Sequence, residues 1–325
     1  MGAGEMVFRM MQWRRQRRLM EGDPLALDRR IDPQSQKLDF VHVYVAEEAG
    51  ETTRWLSSRV YAAAKREPID MCHLAIDRFH TFLETGDPTA RAVFLTTVRE
   101  LFDSGHMVTR GGGTSFVVPH VDQIGGYARH ATPWINAMVQ GWAGALFMRA
   151  HQMTGDARYA DAALHAMTPF FVSVERGGLR DTLHSRRVFY EKYPFYGQTR
   201  HVLNGFMSSL LGVWDVARAT GDSTARQAFE EGVASLDDTL LETYDNGHTS
   251  LYDQQPDRRT TPSCVFYNWV HTRQLAALAR ITGERRLVGW AERWRQYTRS
   301  PEHRAHTTLD CIAYRARSLP RYLAP

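Results

Sequence analysis

Cysteine is scarce in this chain of 325 residues, with Cys72, Cys264 and Cys311 standing far apart. Three such residues build neither a disulfide framework nor the close pairs of a zinc site. A reducing, cytoplasmic setting is the expectation. No run approaches the ~20 apolar residues of a membrane span, so no integral membrane segment is expected. Residues 1–20 lack the continuous apolar stretch of a secretory signal. Met1-Gly2 opens like a myristoylation site, but Met6 stands where Ser or Thr is required. Charge of one sign is also lacking. Lys+Arg 40 against Asp+Glu 36 leaves +4, too little to argue for nucleic acid yet not repellent to an acidic ligand. Gly-x-Ser-x-Gly, His-Glu-x-x-His and Cys-x-x-Cys are all missing, so serine hydrolase and zinc peptidase readings have no motif. Gly111-Gly112-Gly113 is not followed by Lys-Ser/Thr and follows no clear strand, which removes the phosphate-loop reading.

Arg9, Arg14, Arg15, Arg17 and Arg18 crowd around Trp13, as a solvated tail or as a basic arm for a polyanion. Residues 1–67 read as an N-terminal extension, with a short strand expected at 40–45 and a helix at 53–65. From 68 to 300 the chain repeats one pattern: an apolar helix, a tight turn and a second helix. The turns are Thr85-Gly86-Asp87, Thr154-Gly155-Asp156, Thr220-Gly221-Asp222 and Thr282-Gly283-Glu284, about 69, 66 and 62 residues apart. Glycine ends a helix in the left-handed conformation without a Cβ penalty. An aspartate after it accepts from the first N–H groups of the next helix, which Glu284 does less well.

The helices before the turns, such as 137–148 and 204–216, are apolar nearly all round and should be wrapped on most sides. Gly141, Gly144, Gly205 and Gly212 would let them approach one another. The second helices, at 156–167 and 224–236, carry a polar face and should lie outside. Inner helix, tight turn, outer helix and long return make a mainly α fold, an incomplete α/α toroid of roughly seven to nine helices. Residues 301–325 read as a C-terminal tail. The long returns at 104–133, 172–201 and 244–270 should open on one mouth, and their length implies short strands or function.

Chemistry-bearing side chains concentrate in these returns. The middle one holds Tyr190, Glu191, Lys192, Tyr193, Arg200 and His201, between Phe189 and the turn at Pro194. The third holds Tyr252, Asp253, Arg258, Arg259 and Tyr267, with His271 one helical turn further on. The first holds Arg110, His120, Asp122, Tyr127, Arg129 and His130. Tyr190 and Tyr193 suit either aromatic packing or ligand contact. His271 suits either a satisfied hydrogen-bonding role or catalysis.

Five segments, in order, resemble the C-terminal catalytic domain of the D-glucuronyl C5-epimerases. They are Pro133-Trp134-Ile135-Asn136-Ala137-Met138-Val139-Gln140-Gly141, Phe189-Tyr190-Glu191-Lys192-Tyr193-Pro194, Val202-Leu203-Asn204-Gly205-Phe206-Met207, Leu251-Tyr252-Asp253 and Tyr267-x-x-x-His271-x-x-Gln274-Leu275. The resemblance covers roughly residues 68–300. It implies an enzyme that takes the C5 proton from a uronic acid and returns it to the other face, with no redox cofactor and no metal. The partner implied is an acidic glycan or smaller uronoside, and a homo-oligomer stays open. Such chemistry needs an acid/base group on each side of the ring and cations or donors for the charge that builds on the carboxylate.

The resemblance assigns one acid/base group to Tyr267 and the other to Lys192, where the family has the second Glu of Glu-Glu-Tyr-Pro; Glu191 is the alternative. It places Tyr193 and Tyr252 against the sugar and His271 and Arg258 at the carboxylate, with Tyr190 and Arg200 as further substrate-binding residues. Gln255 stands where the family has an arginine. A uronate lyase begins with the same proton removal and stays an alternative, and these two departures favour a catalytically silent glycan-binding protein.

Overall fold

The computed structural model describes residues 20–26, 35–39, 67–110, 113–120, 133–183, 187–254 and 260–322. The expected strand at 40–45, the helix at 53–65 and the arginine cluster at 9–18 lie outside these residues. So do Asp122, Tyr127, Arg129, His130, Gln255, Arg258 and Arg259.

Four helical hairpins carry the structure. They are α1 (Pro68–Thr85) with α2 (Pro88–Ser104), α3 (Ala137–Thr154) with α4 (Ala157–His165), α5 (Leu203–Thr220) with α6 (Ser223–Ser235), and α8 (Val265–Thr282) with α9 (Arg285–Arg299). A short α7 (Asp238–Thr243) follows the third pair, and α10 (Pro301–Tyr322) ends the chain. The inner helices pack in chain order, α1 on α3, α3 on α5 and α5 on α8. The result is a mainly α, incomplete α/α toroid. No helix among the described residues is long and apolar enough to cross a membrane.

Every turn is built alike. Gly86, Gly155, Gly221 and Gly283 adopt φ of 69°, 75°, 70° and 73°, the left-handed cap that glycine reaches at no steric cost. Asp87, Asp156 and Asp222 accept from the N–H groups of Thr89, Arg158 and Ala225, whereas Glu284 makes no such cap. The threonines have a use that the sequence pattern alone does not reveal. Each hydroxyl donates to the carbonyl four residues back at 2.7–2.8 Å and accepts the N–H two residues on at 3.1–3.2 Å. One side chain thereby adds a second bond to a carbonyl in the last turn of the first helix and satisfies the N–H that leads into the next.

Burial follows the inner/outer assignment. From Ala137 to Ala150 every residue of α3 is buried, as is every residue of α5 from Leu203 to Ala217. The backbones of these two helices meet where side chains vanish: a Cβ on Gly212 would stand 2.3 Å from the Gly141 carbonyl carbon, and one on Gly141 would stand 2.7 Å from the Ser209 oxygen. Lower down, Arg149 pairs with Asp215 at 2.9 Å and lies over the Phe79 ring, tying α3 to α5 and α1.

The ends differ from the sequence expectation. Residues 301–322 form α10, against α9 and the third return, with His248 2.7 Å from Asp310 and the Thr261 hydroxyl donating to Tyr314. Its apolar residues are sparse and Leu309 and Ile312 are exposed, so no clear stripe announces it. With α7 and α10 the described residues hold ten helices, above the expected seven to nine. In the N-terminal part, Asp23 pairs with Arg295 and Arg299, and Leu38 is buried beside Gln152.

Each long return contains an antiparallel two-stranded hairpin. These are β1 (His106–Arg110) with β2 (Gly113–Val117), β3 (Arg180–Thr182) with β4 (Val188–Tyr190), and β5 (Leu251–Gln254) with β6 (Thr260–Pro262). The returns touch at one mouth. Trp134 lies 6.0 Å from the Tyr193 ring, the Ala137 N–H donates to the Glu191 carbonyl, and the Gln254 N–H donates to that of Arg200.

Gly212→Ala forces a methyl into the α3–α5 contact and is expected to cost about 2–3 kcal/mol in urea denaturation. Gly289→Ala, in the middle of α9 with nothing within 4 Å of the new Cβ, should instead add about 0.5–1 kcal/mol.

Candidate active site

The middle return delivers its residues through a strand ladder. Arg180 pairs with Tyr190 and Asp181 with Phe189, and the ladder continues as the Glu191 N–H donates to the Leu179 carbonyl. The chain then turns under the N-terminus of α5.

Lys192 is 6% exposed. Its stem lies over Gly205, where a Cβ would stand 2.8 Å from Lys192 Cβ and 2.9 Å from its Cδ. Gly205 therefore admits this lysine to the wall, rather than bringing two inner helices together as its text suggests. The ammonium lies 5.5 Å from the Tyr193 ring and 5.9 Å from that of Tyr252, and Nζ donates to the Tyr252 hydroxyl at 3.3 Å. A buried ammonium is costly to desolvate, and two ring faces and a hydroxyl are the groups that compensate it here.

Tyr252 owes its direction to an irregularity. Leu251 pairs with Pro262 and Asp253 with Thr261, so Tyr252 is the extra residue of a bulge. Bulges re-aim side chains. The Tyr252 ring meets Tyr267, in the first turn of α8, edge to face at 4.8 Å. Burial raises the Tyr252 hydroxyl above its ordinary range, and the Lys192 charge and hydrogen bond pull it part of the way back. Beside it, Asp253 is fully buried, accepts from the Thr261 N–H at 3.0 Å and holds Arg200 at 2.5 Å. Burial pushes Asp253 up, against the opposing pull of Arg200 and Thr261. Trp134, stacked on His120 at 4.3 Å, closes the wall next to Tyr193 and Phe195.

The structure thus brings together Lys192, Tyr193, Tyr252 and Tyr267, with Arg200 behind them on Asp253. Two other residues go elsewhere. Tyr190 is fully buried against Phe170 and Phe206, and its hydroxyl donates to the Ala228 carbonyl at 2.9 Å. This corrects its assignment to the substrate: it ends β4 and packs into the core. His271 is fully buried, and its Nδ1 shares a 2.8 Å hydrogen bond with Ser250. Burial pulls it down to about 3, so it is neutral and offers no charge to a carboxylate. Arg258 lies outside the described residues.

Glu191 turns to His201 and Asp181. Its Oε1 accepts from the His201 N–H at 3.2 Å and lies 3.4 Å from His201 Nε2, which is 3.0 Å from Asp181 Oδ2. Complete burial pushes the Glu191 carboxyl up to about 8; His201 opposes this and Asp181 adds to it. Burial lowers His201, but the hydrogen bond to Asp181 and the two carboxylate charges outweigh it, and the net shift is upward. Asp181 belongs to no motif. It is a neighbour of Glu191 only through the strand register, which nothing in the text reveals.

A cavity of about 730 Å³ lies apart from these residues, between the third and fourth hairpins, with Trp214, Arg218, Phe229 and Arg286 in its walls. Its two carboxylates are Glu230 and Glu284, the latter 3.6 Å from Arg286, and its lining holds none of the convergent tyrosines, so the convergence at the mouth is the better site candidate.

A family model described as the D-glucuronyl C5-epimerase C-terminus matches residues 113–296. The match starts after the first hairpin, later than residue 68. An uncharacterized protein of Methanocaldococcus jannaschii is 32% identical over 167 residues, covering 48% of this chain and 53% of that protein. A D-glucuronyl C5-epimerase of Caenorhabditis elegans is 31% identical over 179 residues, 50% of this chain and 29% of that protein. The chain thus spans about half of one curated relative and less of the other. Among solved structures, a glycoside hydrolase family 76 α-mannanase of Bacteroides thetaiotaomicron superposes with TM-score 0.48 at 11% identity, covering 90% of this chain and 84% of that one. A family 76 mannosidase of the same organism gives 0.44 at 13%, covering 69% and 57%. Likenesses this distant add nothing to the fold already described.

Tyr190→Phe removes one buried hydrogen bond and is expected to lower stability by about 0.5–1.5 kcal/mol in urea denaturation.

Proposed function

The chain belongs to the D-glucuronyl C5-epimerase C-terminus family, and from that premise we propose that it removes and returns the C5 proton of a uronic acid within a glycan or glycoside. The observation that supports this reading best is the convergence of Lys192 Nζ, the Tyr252 hydroxyl and the Tyr267 ring, from two different returns, at one mouth.

The C5 proton lies next to a carboxylate and is very weakly acidic. Inverting the centre calls for a proton acceptor on one face and a donor on the other. Tyr267 serves as one group and Lys192 as the other. In water a phenol and an ammonium both hold their protons at neutral pH, so one must release its proton before the cycle starts. Tyr193 and Tyr252 present ring faces and hydroxyls to the sugar. Charge building on the carboxylate is met by fixed cations, which stabilise it more in a buried wall than in water. Arg200 supplies one here, with Arg258 of the third return a further candidate. His271 buttresses β5 through Ser250 and takes no charge.

Deuterium uptake at C5 from D₂O, followed by NMR across a panel of uronosides and uronic-acid oligosaccharides, tests the reading. Wild type should exchange C5. Tyr267→Phe and Lys192→Met should each slow exchange by about 10²–10⁴-fold while binding survives. An ultraviolet-absorbing unsaturated product would point to a lyase instead. Saturable binding with neither exchange nor cleavage, across the whole panel, would reduce the protein to a glycan binder.

A further inference from the structure

We infer that Asp181, Glu191 and His201 form a binding site for a divalent transition-metal ion of the zinc type, and that the ion clips the loop carrying Lys192, Tyr193 and Arg200. The inference does not depend on the proposed reaction. It concerns a cluster that the acid/base wall leaves unused.

The three residues come from three places: β3, the end of β4 and the approach to α5. Each offers one ligand atom, and these atoms all lie within 4.8 Å of one another. The separations along the cluster are 3.0 Å from Asp181 Oδ2 to His201 Nε2 and 3.4 Å from His201 Nε2 to Glu191 Oε1. Four-coordinate zinc holds nitrogen and oxygen at about 2.0–2.1 Å, which sets ligand–ligand edges of about 3.3–3.4 Å. The cluster is therefore spaced to close around such an ion with small side-chain movements.

Hydrogen bonding alone does not complete this cluster. His201 Nε2 carries at most one proton and faces a carboxylate on each side. Whichever carboxyl group receives it, Glu191 Oε2 stays fully buried and makes no hydrogen bond of good geometry among the described residues, the nearby Arg200 N–H easing the burial of this carboxyl only in part. A buried polar atom without a partner needs an explanation. A cation supplies one, because a carboxylate that ligates a metal can turn either oxygen, or both, toward it. The surroundings also fit. Asp181 Oδ1 accepts from the Thr182 N–H at 2.7 Å, the Thr199 hydroxyl bonds the same carboxylate, Oδ2 faces His201, and the Phe189 ring stands edge-on against the His201 imidazole at 5.0 Å. Such outer contacts orient ligands. Asp181 and His201 keep side-chain exposures of 27% and 18%, which gives an ion a way in. An imidazole nitrogen with two carboxylates favours zinc and its first-row neighbours over calcium or magnesium, which take oxygen ligands.

Glu191 and His201 bracket residues 192–200. An ion between them fastens both ends of that loop to β3 and so holds Lys192 over Gly205. The sequence gives no hint of this, since positions 181, 191 and 201 match no metal-ligand spacing and meet only through the β3–β4 pairing.

The test is calorimetric titration of the chelator-treated full chain with Zn²⁺ alone. Co²⁺ serves as a visible probe of a four-coordinate nitrogen/oxygen site, and amide hydrogen exchange is followed over 192–200. Wild type should bind one Zn²⁺ per chain, show the Co²⁺ absorption, and slow exchange of that loop on loading. Asp181→Asn should weaken binding at least tenfold and abolish the loop effect. Circular dichroism checks that the variant is folded. If it is not, His201→Asn takes its place, since asparagine tolerates the φ of 45° at this position. The absence of stoichiometric binding overturns the inference. So does equal affinity in the folded variant, which would put the ion at another site.

Discussion

A threonine hydroxyl that bonds in two directions at once, repeated at four helix ends, sets the plan of this molecule. It donates back to the last turn of the inner helix and accepts from the N–H entering the outer one, while the following glycine reverses the chain. Two such residues and a cap are all the connection needs. Every hairpin is therefore tight at one end, and everything long is driven to the other. The three returns gather at one mouth because no other place is left for them.

Close approach of the inner helices does the rest. Gly141 against Gly212 lets the backbones of α3 and α5 touch, and the Arg149–Asp215 pair ties the same helices further along. A buried pair of this kind is weak evidence for net stability but a strong penalty on wrong registers. With that frame rigid, small irregularities acquire consequences at the mouth. The missing side chain at Gly205 makes room for a lysine stem, and the bulge at Tyr252 turns a phenol toward its ammonium. Neither feature is large, yet together they place an ammonium, two phenols and their ring faces in contact.

Much of the scaffold could be read from the text. Helix, Thr-Gly-Asp, helix is a local pattern with local causes, and the left-handed glycines and aspartate caps came out as expected, down to the missing cap at Glu284. The site was legible by region rather than by residue. Tyr190 and Tyr193 look alike in sequence, but the strand ends at Tyr190, which packs into the core, while Tyr193 lies in the turn beyond it, at the wall. Glu191 and Lys192 are adjacent, yet one turns to His201 and the other to Tyr252. Gly205 resembles a helix-contact glycine because spacing along a helix does not say which element lies opposite. Asp181 was invisible, since its neighbour ten residues away is set by hairpin register. The helix at 301–322 escaped because its apolar stripe is thin and its anchors are polar, Asp310 on His248 and Tyr314 on Thr261.

The account rests on where a uronic acid sits, and the most direct measurement is a crystal structure of the chain with a uronic-acid trisaccharide bound. The account predicts that C5 lies between Lys192 Nζ and the Tyr267 hydroxyl, on opposite faces of the ring and each within about 3–3.5 Å, with the carboxylate turned toward Arg200. A sugar bound outside this mouth, or one with both groups on the same face of the ring, would contradict it.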